Sequence, residues 1–189
     1  GVYVVCHNPN ATDAGRRPSA AGVLTGGVDG KLEEAVDLKT MIHAIHAGEA
    51  SQGGFRENGI VVYGFGGSVN DFSSVVFPGK LSNCTACHTS SSYQLTGIWD
   101  SATANGILGT TTSTDTSWSD AADNLRTSPT TAVCSSCHDS SRGRVHFTGL
   151  GGGQFSVTQA AIDGGPVEVC SVCHGPGGPV DVKRVHHVQ

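Results

Sequence analysis

Cys84-Thr85-Ala86-Cys87-His88 recurs in pattern as Cys134-Ser135-Ser136-Cys137-His138 and as Cys170-Ser171-Val172-Cys173-His174, and this triple Cys-x-x-Cys-His decides what kind of chain the 189 residues make. Two thiols three positions apart lie about one helical turn from each other, so both can reach the vinyl groups of a single porphyrin. The histidine that follows then points its imidazole at the iron as the proximal ligand. The pattern reads as covalent attachment of haem c at Cys84 and Cys87, Cys134 and Cys137, and Cys170 and Cys173, with His88, His138 and His174 on the irons.

Two other chemistries use Cys-x-x-Cys. A redox dithiol needs a βαβ setting and occurs once per domain, whereas this chain has three pairs. Structural zinc sites pair two such elements about 15 to 20 residues apart. Here the intervals from Cys87 to Cys134 and from Cys137 to Cys170 are longer, and a histidine follows every pair directly. The seventh cysteine stands in Tyr3-Val4-Val5-Cys6-His7, the second half of the motif with Tyr3 in place of the first cysteine. The expectation is a fourth haem on Cys6 through one thioether, with His7 as its proximal ligand; the alternative is an empty remnant.

Nine histidines are present, and five of them follow no motif cysteine: His43, His46, His146, His186 and His187. Met41 is the sole methionine, so histidine–methionine ligation cannot be general and bis-histidine ligation is the natural assignment. Such irons are saturated and suit electron transfer better than substrate binding. His43 and His46 sit in a strong helical pattern, with Leu38, Met41, Ile42 and Ile45 on one stripe, Asp37 as N-cap and Gly48 as stop. About 60° apart on the flank of that stripe, they can serve two different haems. His146 is too close to its own motif to fold back over that haem and is expected on a neighbour. Of the adjacent His186 and His187, His186 is the expected ligand and His187 the spare.

Composition supports a core not made of side chains. With 27 glycines and 6% aromatic residues, the chain loses much entropy on ordering and has few large groups to bury in return. The net charge of -5 and the lack of any basic run exclude nucleic acid as a partner. No apolar stretch reaches the roughly 18 residues of a transmembrane segment. The start, Gly1-Val2-Tyr3-Val4-Val5, lacks the features of a signal peptide and reads as part of a longer, processed precursor. Haem attachment outside the cytoplasm implies an exported protein.

The expected architecture is a multihaem cytochrome c fold: mostly coil and turns, a few short helices, minimal β, and haems forming the core of a single domain over 1–189. Ile60-Val61-Val62-Tyr63 and Ser74-Val75-Val76-Phe77 are expected to form a hairpin or cover. A Ser/Thr-rich insertion at about 89–131 has no candidate ligand and is expected to be solvated.

Further stretches carry a resemblance. Cys6-His7-Asn8-Pro9-Asn10-Ala11-Thr12-Asp13, Arg16-Arg17-Pro18, Asp37-Leu38-Lys39, Met41-Ile42-His43-Ala44-Ile45-His46-Ala47-Gly48-Glu49 and Val62-Tyr63-Gly64-Phe65-Gly66-Gly67 resemble the OmcA/MtrC family of outer-membrane decahaem cytochromes, in its C-terminal haem-rich module. The resemblance implies bis-His haems packed closely, and extracellular electron transfer to metal oxides, flavins or other acceptors, with other cytochromes or copies of itself as partners. It implies an electron-transfer protein and not an enzyme, at the outer-membrane surface or extracellular, with the periplasm as runner-up. By this resemblance the sequence is expected to start inside the second motif of such a module, and to be without the family's N-terminal β-barrel domains. Four haems are expected, three on complete motifs. The spare histidine suggests a polymerised filament as a further arrangement, and an open iron at Cys6 would make the chain a multihaem reductase instead.

Overall fold

The computed structural model describes residues 3–95, 107–112 and 124–188. Its helices are α1 (Tyr3–Cys6), α2 (Leu38–Ala47), α3 (Pro129–Ser135), α4 (Ser141–Gly149), α5 (Gln159–Asp163), α6 (Cys170–His174) and α7 (Val182–Val185). The strands are β1 (Ser19–Ala20), β2 (Val23–Leu24), β3 (Val61–Tyr63), β4 (Val69–Asp71), β5 (Thr110–Thr112), β6 (Leu125–Thr127) and β7 (Val157–Thr158). They form two antiparallel pairs, β1-β2 and β3-β4, and one small antiparallel sheet in the order β5-β6-β7. As expected from the sequence, most of the described chain is turn and coil.

The helix α2 lies between Asp37 and Gly48, as its periodicity predicts. Asp37 holds the N-cap position, yet its carboxylate does not cap. It accepts from Thr110 Oγ1 at 2.8 Å and pairs with Lys39 instead. Gly48 closes the helix at φ 57°, where a Cβ would stand 2.0 Å from the Val75 carbonyl oxygen, so only glycine fits. The buried face of α2 carries Ala44 and Ala47, while Ile42 on the apolar stripe remains 39% exposed. Helix α2 packs on α3, and the residues it buries are small ones.

The hairpin differs from the expectation. Strand β3 pairs with Val69–Asp71, in the register Val61↔Asp71 and Tyr63↔Val69, and not with Ser74–Phe77. The turn at Phe65–Gly67 has positive φ at Gly66 and Gly67, which returns the chain at once and consumes the nearest residues as partners. Asp71 Oδ1 then accepts from Ser73 N at 2.9 Å, an Asx turn that ends the strand before Ser74.

The solvated insertion is corrected in part: residues 89–95 are exposed or half-buried as expected, but the later described residues are not all so. Thr110, Thr111, Ser128, Thr130 and Thr131 are buried, because β6 is the central strand of its sheet and α3 follows directly. Residues 96–106 and 113–123 of that stretch lie outside the described residues.

A buried ionic cluster fixes the N-terminal loops to β3. Arg17 Nε donates to Asp13 (2.8 Å), its Nη1 to Asp29 (2.7 Å) and its Nη2 to the Val61 carbonyl (2.8 Å). Asp13 also accepts from Tyr63 N and Glu34 N. Side chains otherwise supply little interior: of eleven buried apolar residues among those described, five are alanines. Large apolar groups such as Val145, Leu150, Val172 and Phe55 are exposed.

Candidate haem sites

The four Cys-His elements close in one way. His88 N donates to the Cys84 carbonyl at 2.8 Å and His138 N to the Cys134 carbonyl at 2.9 Å, while α6 contains the third motif whole. His7 N donates to the Tyr3 carbonyl at 2.9 Å, so the truncated element makes the same helical turn. Backbone hydrogen bonds set this turn, and Tyr3 in place of a cysteine leaves it intact. All seven cysteines are free of disulfides.

Burial pushes the Cys134 thiol up to about 12 and those of Cys137 and Cys170 up to about 11, and raises Cys84 as well. A redox dithiol works through a thiolate made at lowered pKa, the opposite of this environment. Among the described residues no group of three or more His, Cys, Asp or Glu converges as a metal cage. The cysteines and histidines are not arranged as a structural zinc site.

Imidazoles instead meet in pairs. His43 and His88 have ring centres 6.0 Å apart, His138 and His186 6.0 Å, and His146 and His174 5.9 Å. Each pair joins one motif histidine to one distal candidate. A metal–imidazole bond of about 2 Å, with each ring centre about 1 Å beyond its nitrogen, places two rings on one iron about 6 Å apart. The spacing fits an iron shared by each pair.

The ring orientation also fits. Nδ1 of His7 bonds the Val36 carbonyl (2.7 Å), that of His43 the Lys39 carbonyl (2.7 Å), that of His174 the Val180 carbonyl (3.1 Å) and that of His186 the Val182 carbonyl (3.0 Å). A carbonyl only accepts, so Nδ1 carries the proton and Nε2 keeps its lone pair for a metal. Burial lowers the pKa of His43 and of His138; nearby imidazoles lower both further, His186 and His174 in the case of His138. Both are neutral at pH 7, the form that ligates. The exposed Phe55 ring lies edge-on to His138 at 5.3 Å, and the exposed Ile42 and Val145 adjoin His43 and His146 in sequence. Donor set and apolar surroundings both suit a porphyrin.

Further contacts tie the elements of the pairs to one another. Cys137 Sγ lies 3.7 Å from the His43 carbonyl, joining the second motif to α2. Arg56 Nη1 bonds the Ser136 carbonyl, and Asp139 accepts from Glu57 N and Asn58 N, so residues 56–58 clamp the same turn. Cys170 Sγ contacts the Gly151 carbonyl just after α4, which carries His146. Leu38 N donates to the His7 carbonyl, which seats the Cys6-His7 turn at the start of α2. A cavity of about 680 Å³ opens there, lined by Cys6, His7, Asn10, Arg16, Val36 and Asn124.

Among the described residues no second imidazole stands against His7, His46 or His187. His46 meets the Phe77 ring at 5.3 Å, and His187 is exposed at φ 53°. His46 therefore diverges from His43, as the helical spacing predicts. The sequence reading missed the residues that hold these turns, Glu168, Arg56 and Asp139. Glu168 had a signal, as a charge inside Val167-Glu168-Val169 directly before the third motif.

Residues 2–187 match the family model described as outer membrane cytochrome MtrC/MtrF-like, domains II/IV. The chain belongs to this family. A comparison with curated proteins gives no match. The membership bears out the OmcA/MtrC resemblance of the sequence. It makes this MtrC/MtrF-like chain a cytochrome of electron transfer that carries haem c and works with other cytochromes, in keeping with a place at the outer-membrane surface or outside the cell. Among the described residues no helix is long and apolar enough to cross a membrane.

Proposed function

We propose that this chain is a four-haem electron carrier folded as a single domain over 1–189, with the haems filling its interior. Cys84 and Cys87, Cys134 and Cys137, and Cys170 and Cys173 each hold one haem through two thioethers, and Cys6 holds a fourth through one. His88 with His43, His138 with His186, and His174 with His146 are the axial pairs, and His7 is the proximal ligand of the fourth. The observation that carries this reading is the set of three imidazole pairs at 5.9–6.0 Å. When bound, the haem supplies one-electron exchange at its iron.

The chain's own residues do the rest. Backbone carbonyls at Val36, Lys39, Val180 and Val182 fix the rings so that Nε2 faces outward. Apolar side chains exclude water around the imidazoles, and the contacts between α2, α3 and the loop after α4 tie neighbouring sites to one another. The acceptors are extracellular: metal oxides, soluble flavins or other cytochromes. His46 and His187, which face no second imidazole, are available to an iron on a neighbouring cytochrome or on a copy of this chain, as in a filament. Size-exclusion chromatography and electron microscopy of the haem-loaded protein test that arrangement; monomers alone at high concentration count against it.

The test of the main reading is a pyridine haemochrome titration against protein concentration. About four haems per chain, one of them with the shifted band of a single thioether, is expected, and Cys6→Ser should remove that component alone. Absence of haem overturns the reading. A second reading, a reductase with one open iron, is favoured by the cavity at Cys6 and His7; a high-spin ferric signal from one haem that responds to added cyanide would support it.

A further inference from the structure

Glu168 is 4% exposed, and four hydrogen bonds reach its carboxylate. Oε1 accepts from Ser128 Oγ (2.8 Å), Thr131 N (2.8 Å) and Thr131 Oγ1 (2.5 Å), and Oε2 accepts from Thr130 N (2.7 Å). A helix normally satisfies its first free amides with the side chain of its own N-cap residue. Ser128, the N-cap of α3, makes no such bond; its hydroxyl turns to Glu168, which takes the amides of Thr130 and Thr131 from 38 and 37 residues away in sequence. All four of these bonds are donated to the carboxylate. Among the described residues no Lys, Arg or His forms an ion pair with it.

This buried charge stands between two attachment turns. It holds the first turn of α3, whose Cys134 lies three residues beyond Thr131, and Cys170 follows it by two residues. We infer that Glu168 is a positioning residue shared by the haems at Cys134–His138 and Cys170–His174, clamping the two turns together and lowering the reduction potentials of both. The inference rests on the haem assignment proposed above. Its physical basis is Coulombic: an electron arriving at iron is repelled by a fixed negative charge, and inside a protein that repulsion is weakly screened. The oxidised iron is favoured and the potential falls. The field reaches both turns, since burial raises the Cys134 and Cys170 thiols first and the charge of Glu168 adds to the rise at each.

The test is a spectroelectrochemical titration of the haem-loaded chain, with dithionite as reductant, on the parent protein and on Glu168→Gln, Glu168→Asp and Thr131→Val. Glutamine keeps the three bonds to Oε1 and loses the one from Thr130 N. Two of the redox transitions should then shift upward at unchanged haem content while the others stay in place. Aspartate keeps the charge, so potentials should remain close to the parent even where the melting temperature drops. Thr131→Val removes one donor and leaves the charge less screened, so the same two transitions should move down; this variant decides the matter if the glutamine variant fails to fold. Unmoved transitions in Glu168→Gln, an equal rise of all of them, or an upward shift in Thr131→Val overturns the inference. A parent chain lacking haem at these two motifs overturns the assignment beneath it.

Discussion

The imidazoles of His43 and His88 lie with ring centres 6.0 Å apart and planes 5° from parallel. The other two pairs are crossed, at 61° for His138 and His186 and at 87° for His146 and His174. Aligned planes split the iron d orbitals that interact with the rings, whereas crossed planes leave them nearly equal in energy. Electron paramagnetic resonance of the frozen ferric protein should therefore show a rhombic low-spin component beside components with a large maximal g value. His43→Ala should abolish the rhombic one and add a high-spin signal, and His146→Ala should diminish the other kind. A spectrum of one uniform rhombic species would contradict the pairing.

Arg17 ties Asp13 and Asp29 together with its side chain fully buried. Burial alone would raise the Asp29 pKa, but hydrogen bonds from Arg17 and from the Lys31 amide outweigh it and hold the pKa below the usual carboxylate value. A depressed folded-state pKa stabilises the fold above the unfolded value of about 3.9, and that stability is lost as pH falls through the folded value. The Asp29 contribution, read as the difference in denaturant stability between the parent and Asp29→Asn, should be constant from neutral pH down to about 5 and be lost below about 4. Arg17→Met should cost about 3–5 kcal/mol, because it leaves two carboxylates buried without their partner.

The motifs and α2 were legible because both are local: a fixed Cys-x-x-Cys-His spacing, and a 3.6-residue period closed by Asp37 and Gly48. The second strand of the hairpin was not. Val75-Val76 has the composition of a strand, but the register is set by the Gly66-Gly67 turn and the stop at Asp71, which hydrophobic pattern does not report. Ser and Thr near 110 and 130 read as solvated, whereas their hydroxyls are spent on the buried carboxylates of Asp37 and Glu168. Which imidazole meets which is a long-range property. The count of histidines bounded it, and for His146 the short distance to its own motif pointed to a neighbouring haem; its ring centre lies 5.9 Å from that of His174.

Gly48→Ala tests the joint between α2 and the segment behind it. The new Cβ would stand 2.0 Å from the Val75 carbonyl oxygen, in a backbone conformation that L residues disfavour. Strain of this kind costs about 1–3 kcal/mol before the clash is counted. The unfolding midpoint should fall accordingly, whereas Gly30→Ala, with open space around its Cβ position, should show only the smaller cost of a positive φ. Equal losses in the two variants would mean that the close approach to Val75 does not constrain the fold.

The thin side-chain interior makes a prediction about the chain without haem. Five alanines among eleven buried apolar residues contribute little burial, and fully burying a Val or Leu is worth only about 1.5–3 kcal/mol. Val145, Leu150 and Val172 are more than half exposed, where they stabilise nothing unless an apolar surface covers them. Ordering the backbone costs about 1–2 kcal/mol per residue, which this core cannot offset. The Arg17 cluster near β3, Glu168 between the second and third motifs and the Arg56–Asp139 pair at the second are polar clamps that fix turns without adding apolar burial. A chain expressed without haem attachment should therefore bind hydrophobic dyes, lack near-ultraviolet circular dichroism and melt without a cooperative transition, while the haem-loaded form melts sharply. A haem-free chain that unfolds cooperatively at the same temperature as the loaded one would show that side chains alone suffice, and would remove the haems from the interior of the fold.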